Sequence, residues 1–197
     1  MHTASIVPPL GVILAGGQSR RMGQDKAMLP FGRGTLLDHC FDRLSQQCDC
    51  VIVNSNVERR GYTVVPDPMA GALGPLAGIL AGMEWGKAHG HTHIVTIAAD
   101  TPFFPTDYVS RLCAAQGARI VLSETTNGCH PTFGIWDVTL ALDLRDALDG
   151  GVRKIRDWAF SMGATTVAFE TASVDPFFNI NTPDDYHRAL EIYAGQS

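Results

Sequence analysis

The residues best suited to chemistry form one glycine-rich segment near the amino terminus, Leu14-Ala15-Gly16-Gly17-Gln18-Ser19-Arg20-Arg21-Met22-Gly23-Gln24-Asp25-Lys26. Glycines let the backbone approach a ligand closely, and successive free N–H groups in a tight turn form a nest that binds anions. Arg21 and Lys26 add positive charge that suits a triphosphate. The segment has neither the G-K-[ST] ending of a P-loop nor the G-x-G-x-x-G pattern of dinucleotide-binding folds. It therefore predicts a phosphate-binding loop of another kind.

Three further polar residues, Asn54, Asp67 and Asp100, each follow a predicted strand. In parallel sheets, ligands bind beyond the carboxyl ends of the strands, so we expect these side chains to lie near Gly16 at the end of the first strand. The carboxylate of Asp100 suits Mg²⁺, which proteins usually hold by one or two carboxylates together with substrate phosphates. Asp67 and Asn54 also suit ordinary turns, and that alternative stays open.

Strands and helices alternate along the whole chain. Short apolar runs predict strands at residues 10–15, 50–53, 62–65, 93–98, 118–122 and 165–169. Helical spacing, with Thr35 as a cap and Pro75 at a first helical position, predicts helices at residues 35–47, 75–87, 106–116, 138–148, 152–162 and 182–193. This pattern predicts a single α/β domain over residues 1–197, with a mostly parallel, Rossmann-like sheet and helices on both faces.

Composition excludes several classes of protein. The formal net charge is −5 without a basic run, which argues against binding to nucleic acid. No apolar stretch approaches the roughly 20 residues of a membrane span, and the first residues do not resemble a signal peptide, so we expect a cytoplasmic protein without a membrane partner. The five cysteines contain no C-x-x-C pair, and His89-x-His91-x-His93 has no carboxylate or cysteine beside it, so neither set predicts a metal site.

The glycine-rich segment resembles the signature L-A-G-G-x-S-x-R-M-G-x-D-K of nucleotidyltransferases with a nucleotide-diphospho-sugar transferase-like fold. Within that superfamily the chain is most similar to the bacterial molybdenum cofactor guanylyltransferases, the molybdopterin-guanine dinucleotide synthesis protein A family. The similarity extends from about Gly11 to Tyr186. The further matching segments are Val53-Asn54-Ser55-Asn56, Gly74-Pro75-Leu76-Ala77-Gly78, Asp100-Thr101-Pro102-Phe103, His130-Pro131-Thr132 and Asn179-Ile180-Asn181-Thr182-Pro183.

The resemblance implies transfer of GMP from GTP to the molybdopterin form of the molybdenum cofactor, with release of pyrophosphate. It assigns catalysis to Lys26, Arg21 and Asp100, with Asp100 as the ligand of Mg²⁺. A phosphate monoester acceptor is mostly a dianion at neutral pH, because its second pKa is about 6, so it needs no general base. The positions that match the family's GTP site are Leu14, Ala15, Gly16, Gly17, Lys26, Asn54, Asp67 and Asp100.

The resemblance also implies a division into a nucleotide-binding half, about residues 7–105, and an acceptor-binding half, about 106–194. His130, Asn179 and Asn181 would bind molybdopterin, because amides suit hydrogen bonding to a pterin ring. The basic residues at 153–156 could meet the acceptor phosphate or form a solvated helix face. On this view Asn181 lies far from Lys26, and substitutions of the two should have nearly additive effects.

Other functions remain open at this stage. The same chemistry would fit a CTP-dependent molybdopterin cytidylyltransferase or a sugar-1-phosphate nucleotidyltransferase. The first tends to carry alanine at the position of Gly16, and the second is generally longer. A non-catalytic GTP-binding cofactor chaperone is a candidate of another class, although the presence of both Lys26 and Asp100 favours an enzyme. The family's partners would include cofactor-delivery proteins and molybdoenzymes.

Overall fold

A seven-stranded sheet forms the centre of the protein. The structure, a computed structural model, describes residues 8–16, 25–71, 73–115, 117–171 and 174–195. The strands are β1 (Leu10–Leu14), β2 (Pro30–Phe31), β3 (Gly34–Thr35), β4 (Val51–Asn54), β5 (Val64–Val65), β6 (His93–Ala98), β7 (Ile120–Thr125), β8 (Gly128–Asp137) and β9 (Thr165–Ala168). The helices are α1 (Leu36–Ser45), α2 (Pro75–Ala88), α3 (Tyr108–Ala114), α4 (Ala141–Asp149), α5 (Ile155–Ser161) and α6 (Pro183–Gly195).

The strand order in the sheet is β5-β4-β1-β6-β8-β7-β9, while β2 and β3 form a separate small hairpin. Strands β5, β4, β1 and β6 pair in parallel, and so do β7 and β9. Within the seven-stranded sheet as described, β8 alone runs antiparallel to its neighbours, β6 and β7. The predicted mostly parallel sheet is therefore confirmed.

Alternate residues of the central strands face two separate cores. Val12 of β1 packs into a core with α2, α4 and α5, whereas the next residue, Ile13, packs into a core with α1 and α3. This alternation follows from the two-residue period of a strand, and it requires that both faces of the sheet be apolar. The prediction of helices on both faces is confirmed. Helix α6 packs in a third, smaller cluster against α1 and the β2–β3 hairpin.

The sequence pattern missed strand β8. Its segment contains Pro131 and Gly134, which are poor strand formers, and its first half is only partly buried, so it shows no clear apolar run. The pairing of β7 with β8 jumps from Leu122–Gly134 to Ser123–His130, so Pro131 lies in a bulge where a missing N–H is tolerated. The β2–β3 hairpin was also missed.

The predicted helices are present with shifted ends. Thr35 caps helix α1 as expected, and the helix begins at Leu36. The Thr35 side chain accepts a hydrogen bond from the Asp38 N–H, and the Asp38 carboxylate accepts one from the Thr35 N–H. The segment predicted as a helix from residue 138 begins instead with a 3-10 turn, Val138–Leu140, before α4.

Thr96 joins β6 to the antiparallel strand β8. Its buried hydroxyl accepts a hydrogen bond from Trp136 Nε1 at 2.9 Å and donates one to the Thr132 carbonyl oxygen at 2.8 Å. Trp136 and Thr96 are both fully buried, so neither group could turn to water instead.

Thr96→Val should destabilise the protein by about 1–3 kcal/mol, because it leaves the Trp136 indole N–H buried without an acceptor. The free energy of unfolding in denaturant measures this loss. Thr96→Ser is the matched control, since it keeps the hydroxyl and removes only a methyl group. Equal stability of the two variants would contradict the role of this hydrogen bond.

Candidate functional site

The carboxyl ends of β4, β1 and β6 meet at one edge of the sheet. The Ala15 N–H donates to the Asn54 carbonyl oxygen at 2.9 Å, and the Ala99 N–H donates to the Leu14 carbonyl oxygen at 3.1 Å. Gly16 is exposed just beyond this point. The strand ends therefore lie together as predicted, and Leu14, Ala15 and Gly16 lie at the centre of the edge. Gly17 and Arg21 lie outside the described residues.

Asn54 links this edge to Asp67. Its side chain is buried and donates from Nδ2 to Asp67 Oδ1 at 3.0 Å and to the Val65 carbonyl oxygen at 3.1 Å. Asn56 Nδ2 donates to the other oxygen of Asp67 at 2.8 Å. The two candidate nucleotide residues thus hold each other in place at the ends of β4 and β5. Their contact with a nucleotide stays a prediction.

Helix α2 comes very close to Asn54 at Gly78. A Cβ atom at Gly78 would lie 2.2 Å from Asn54 Oδ1 and 2.8 Å from Leu14 Cδ2, both closer than atoms can pack. Any larger side chain here would displace Asn54 or the end of β1. Gly78, the second glycine in the segment Gly74-Pro75-Leu76-Ala77-Gly78, is therefore required by the packing of α2 beneath the site.

Lys26 lies at the same edge of the sheet. It begins a short 3-10 turn, Lys26–Met28, and its side chain is only 14% exposed. Lys26 Nζ lies 3.9 Å from Asp100 Oδ2 and donates a hydrogen bond to Asn181 Oδ1 at 2.9 Å. Three residues that are widely separated in the chain thus meet around one ammonium group.

Asp100 is a carboxylate in a poorly hydrated position after β6. Burial raises its pKa above the usual range, while the charge of Lys26 and a hydrogen bond from the Asn179 side chain oppose that rise. Among the described residues, no group of three histidine, cysteine or acidic side chains could hold a metal ion. The role of Asp100 as the ligand of Mg²⁺, with substrate phosphates and water completing the coordination, stays a prediction.

The segment around Asn181 does not lie apart from the nucleotide site. Asn181 contacts Lys26 directly, and the Ile180 N–H donates to the Asp100 carbonyl oxygen at 2.9 Å. The expectation that Asn181 lies far from Lys26 is wrong, because the chain before α6 returns along the carboxyl edge of the sheet. The Asp185 carboxylate holds this return by accepting from the Asn181 N–H at 3.0 Å. Binding of molybdopterin by these residues stays a prediction.

His130 lies on the first half of β8, beyond the end of β6. Its Nε2 lies 2.8 Å from Thr125 Oγ1, and its ring packs against Phe177 with centroids 4.8 Å apart. Burial lowers the pKa of His130, and the charge of Asp175 opposes this only in part. A neutral, packed imidazole suits a supporting role better than proton transfer, and its contact with a pterin stays a prediction.

The basic residues at the start of α5 have partners within the protein. Arg153 Nη1 donates to the carbonyl oxygens of Leu148 at 2.8 Å and Val152 at 2.7 Å, which places its guanidinium at the carboxyl end of α4. Lys154 forms an exposed ion pair with Asp157 at 3.7 Å. These contacts favour a structural role for Arg153 over capture of an acceptor phosphate.

The histidine triplet lies at the opposite edge of the sheet, before and at the start of β6. His89 stacks on Trp85 with centroids 3.6 Å apart, and its Nδ1 lies 2.7 Å from the Trp85 carbonyl oxygen. His91 Nδ1 lies 3.3 Å from the carbonyl oxygen of Pro8. These contacts with the protein agree with the expectation of a loop that enters a strand.

Sequence reasoning missed Arg59, which is 8% exposed and lies against the glycine-rich motif. Its Nη1 is 2.5 Å from Oδ2 of Asp25, the residue before Lys26. The local sequence Glu58-Arg59-Arg60 gives no sign of which arginine is buried. A relevant signal in the sequence is the aspartate of the motif, Asp25, whose carboxylate can pair with an arginine.

Comparison with known proteins places this architecture in a family. The model of the MobA-like NTP transferase domain matches residues 11–164. The molybdenum cofactor guanylyltransferase of Rhizobium leguminosarum bv. trifolii is 44% identical over 188 residues, which cover 91% of this chain and 90% of the relative. That of Bradyrhizobium sp. is 40% identical over 204 residues, which cover 98% of this chain and 95% of the relative.

The chain belongs to the MobA-like NTP transferases. A crystal structure of molybdopterin-guanine dinucleotide biosynthesis protein A from Archaeoglobus fulgidus has the same fold, with a TM-score of 0.76 at 23% identity over 94% of this chain and 99% of that one. The fold class expected from the sequence is thereby confirmed. No helix of this NTP transferase, among the residues that the structure describes, has the length and apolar character to cross a membrane.

In this family member, Lys26→Ala and Asn181→Ala should have strongly non-additive effects on GTP binding, with a coupling free energy of about 0.5–3 kcal/mol, because each removes one end of the same hydrogen bond. Titration of the single and double variants with GTP measures this coupling. The matched control combines Asn127→Ala with Lys26→Ala. Asn127 donates to Asp175 at 2.6 Å, so these two effects should add. Additive losses in the Lys26–Asn181 cycle would show that the contact has no part in binding.

Proposed function

We propose that this chain transfers GMP from GTP to the phosphate of molybdopterin and releases pyrophosphate. Its relatives with 40–44% identity are named molybdenum cofactor guanylyltransferases. The observation that carries the proposal is the meeting of Lys26 Nζ and Asp100 Oδ2 at 3.9 Å, beside the exposed backbone at Gly16. Lys26, at the end of the glycine-rich segment after β1, and Asp100, after β6, supply the cation and the carboxylate that a nucleotidyl transfer needs.

In this reaction an oxygen of the acceptor phosphate forms a bond to the α-phosphorus of GTP, and the bond from that phosphorus to the pyrophosphate oxygen breaks. The acceptor is already an anion at neutral pH, so no protein group has to remove a proton. Catalysis then depends on positioning and on neutralising charge. Lys26 is the described cation best placed to do this, because Asn181 and Asp100 fix its ammonium group.

Mg²⁺ would join this site through Asp100. Its ionised carboxylate is a hard oxygen ligand, and the ion would take its remaining ligands from the triphosphate and water. When bound, the ion would supply charge neutralisation at the phosphates. Lys26 keeps a second positive charge next to the same carboxylate, which favours the ionised form of Asp100.

Recognition of the base would fall to the backbone of Leu14, Ala15 and Gly16. Because Gly16 carries no side chain and is exposed, its backbone is open to the edge of a purine, whereas the Ala15 N–H and the Leu14 carbonyl oxygen already pair with Asn54 and Ala99. A Cβ atom at Gly16 would lie 3.4 Å from Asn54 Oδ1, which is an ordinary van der Waals contact. The proposed compartment is the cytoplasm, where nucleoside triphosphates are made.

GTP should support the fastest pyrophosphate release in the presence of molybdopterin and Mg²⁺, ahead of CTP, ATP and UTP. Initial rates with all four triphosphates at equal concentration test this selectivity. A fastest rate with CTP would replace the proposal by a cytidylyltransferase. GTP binding without pyrophosphate release would replace it by a non-catalytic chaperone.

Asp100→Asn should lower turnover by about 10²-fold or more, because the carboxylate for the metal is lost. The same change should leave the fold at least as stable at pH 7. Burial raises the pKa of Asp100 above its unfolded value, so the stability due to this group is present below the unfolded pKa and is lost as pH rises through the folded pKa.

Turnover and thermal unfolding at pH 7 and pH 4 check both parts, with the exposed Asp107→Asn as the control. The stability of Asp100→Asn relative to the original chain should be greater at pH 7 than at pH 4. Normal turnover of the folded variant would contradict the role of Asp100 in catalysis.

A further inference from the structure

Arg59 is a buried cation next to the glycine-rich motif. Its side chain is 6% exposed, and its Nη1 lies 2.5 Å from Asp25 Oδ2. The Asp25 side chain is 40% exposed, so water reaches the carboxylate of this pair while the guanidinium is enclosed. The backbone of Arg59 is held as well, because its carbonyl oxygen accepts a hydrogen bond from the Tyr62 N–H at 3.2 Å.

The second oxygen of Asp25 caps the turn that carries Lys26. Asp25 Oδ1 accepts from the Ala27 N–H at 3.2 Å, and the Asp25 carbonyl oxygen accepts from the Met28 N–H at 3.0 Å. A 3-10 turn of three residues has weak hydrogen-bond geometry, so it depends on its cap more than a long helix does. Arg59 therefore fixes the rotamer of the side chain that orders the turn.

Stability alone does not account for a guanidinium at this place. Arg59 Nε is buried without a hydrogen-bond partner among the described residues. Removing a guanidinium from water is unfavourable, and apolar side chains of similar size in place of buried ion pairs are often neutral or stabilising. Because Asp25 stays in contact with water, losing Arg59 would not leave a buried, unpaired carboxylate.

We propose that Arg59 is a positioning residue for nucleotidyl transfer, which acts through Asp25 to hold the turn that aims Lys26 at the triphosphate. The inference rests on the proposed function, since it assumes that Lys26 neutralises charge on the reacting phosphates. The ammonium end of Lys26 is held by Asn181 and Asp100, and the Arg59–Asp25 pair holds its backbone end. Both ends must be fixed because a lysine stem is long and flexible.

Arg59→Met should fold with a Tm equal to or above that of the original chain, yet lose about 10–100-fold in kcat, since small displacements of a catalytic group have effects of this size. Arg59→Lys should recover part of the loss, because an ammonium can still pair with Asp25. The matched control is Arg60→Met, at the neighbouring exposed arginine, which should keep kcat and KM.

Asp25→Asn tests the route from Arg59 to Lys26. It should reduce kcat, and adding it to Arg59→Met should cause little further loss, because both changes break the same link. Fully additive losses would overturn the proposal, and so would an unchanged kcat in Arg59→Met. A Tm of Arg59→Met well below that of the original chain would also overturn it, by assigning the arginine to folding.

Amide hydrogen exchange without any substrate gives a readout independent of activity. Exchange at residues 27–29 should be faster in Arg59→Met than in the original chain, and unchanged in Arg60→Met. Unchanged exchange in Arg59→Met would overturn the proposal. The kinetics are measured with whichever triphosphate the original chain uses best, so preference for CTP would refute the guanylyl assignment and leave the test of Arg59 intact.

Discussion

The site depends on keeping one cation and one carboxylate together in a partly buried position. Burial favours the neutral form of Asp100, and the nearby charge of Lys26 works against this. Neither residue can hold that arrangement alone, because a lysine side chain is flexible and a strand end is open. Strand β6 positions Asp100, and the segment at Asn181 holds the ammonium group of Lys26.

The sheet supplies the rigid part of this restriction. Strands β1, β4 and β6 are buried on both faces, and their carboxyl ends are joined by backbone hydrogen bonds beyond the last paired residues. Helix α2 packs against this edge so closely that Gly78 has no room for a side chain beside Asn54. The positions of Asn54 and of the end of β1 are thus set by core packing.

The antiparallel strand β8 supplies the less regular part. Its bulge places His130 against Phe177, and Phe177 packs in turn against Phe133 and Tyr108. This aromatic cluster anchors the chain just before it passes Asp100 and reaches Lys26. The second half of the chain therefore completes the site that the first half begins.

The sequence by itself determined the parts of this protein that depend on local pattern. Apolar runs located the parallel strands of the main sheet, Thr35 and Pro75 located two helix starts, and polar residues after the strands located the edge at Gly16, Asn54 and Asp100. Tertiary structure alone decided which distant side chains meet there. Lys26 and Asn181 are 155 positions apart, and Arg59 looks the same as Arg60 in the sequence. Such contacts depend on how whole elements pack against each other, which the spacing of neighbouring residues does not predict.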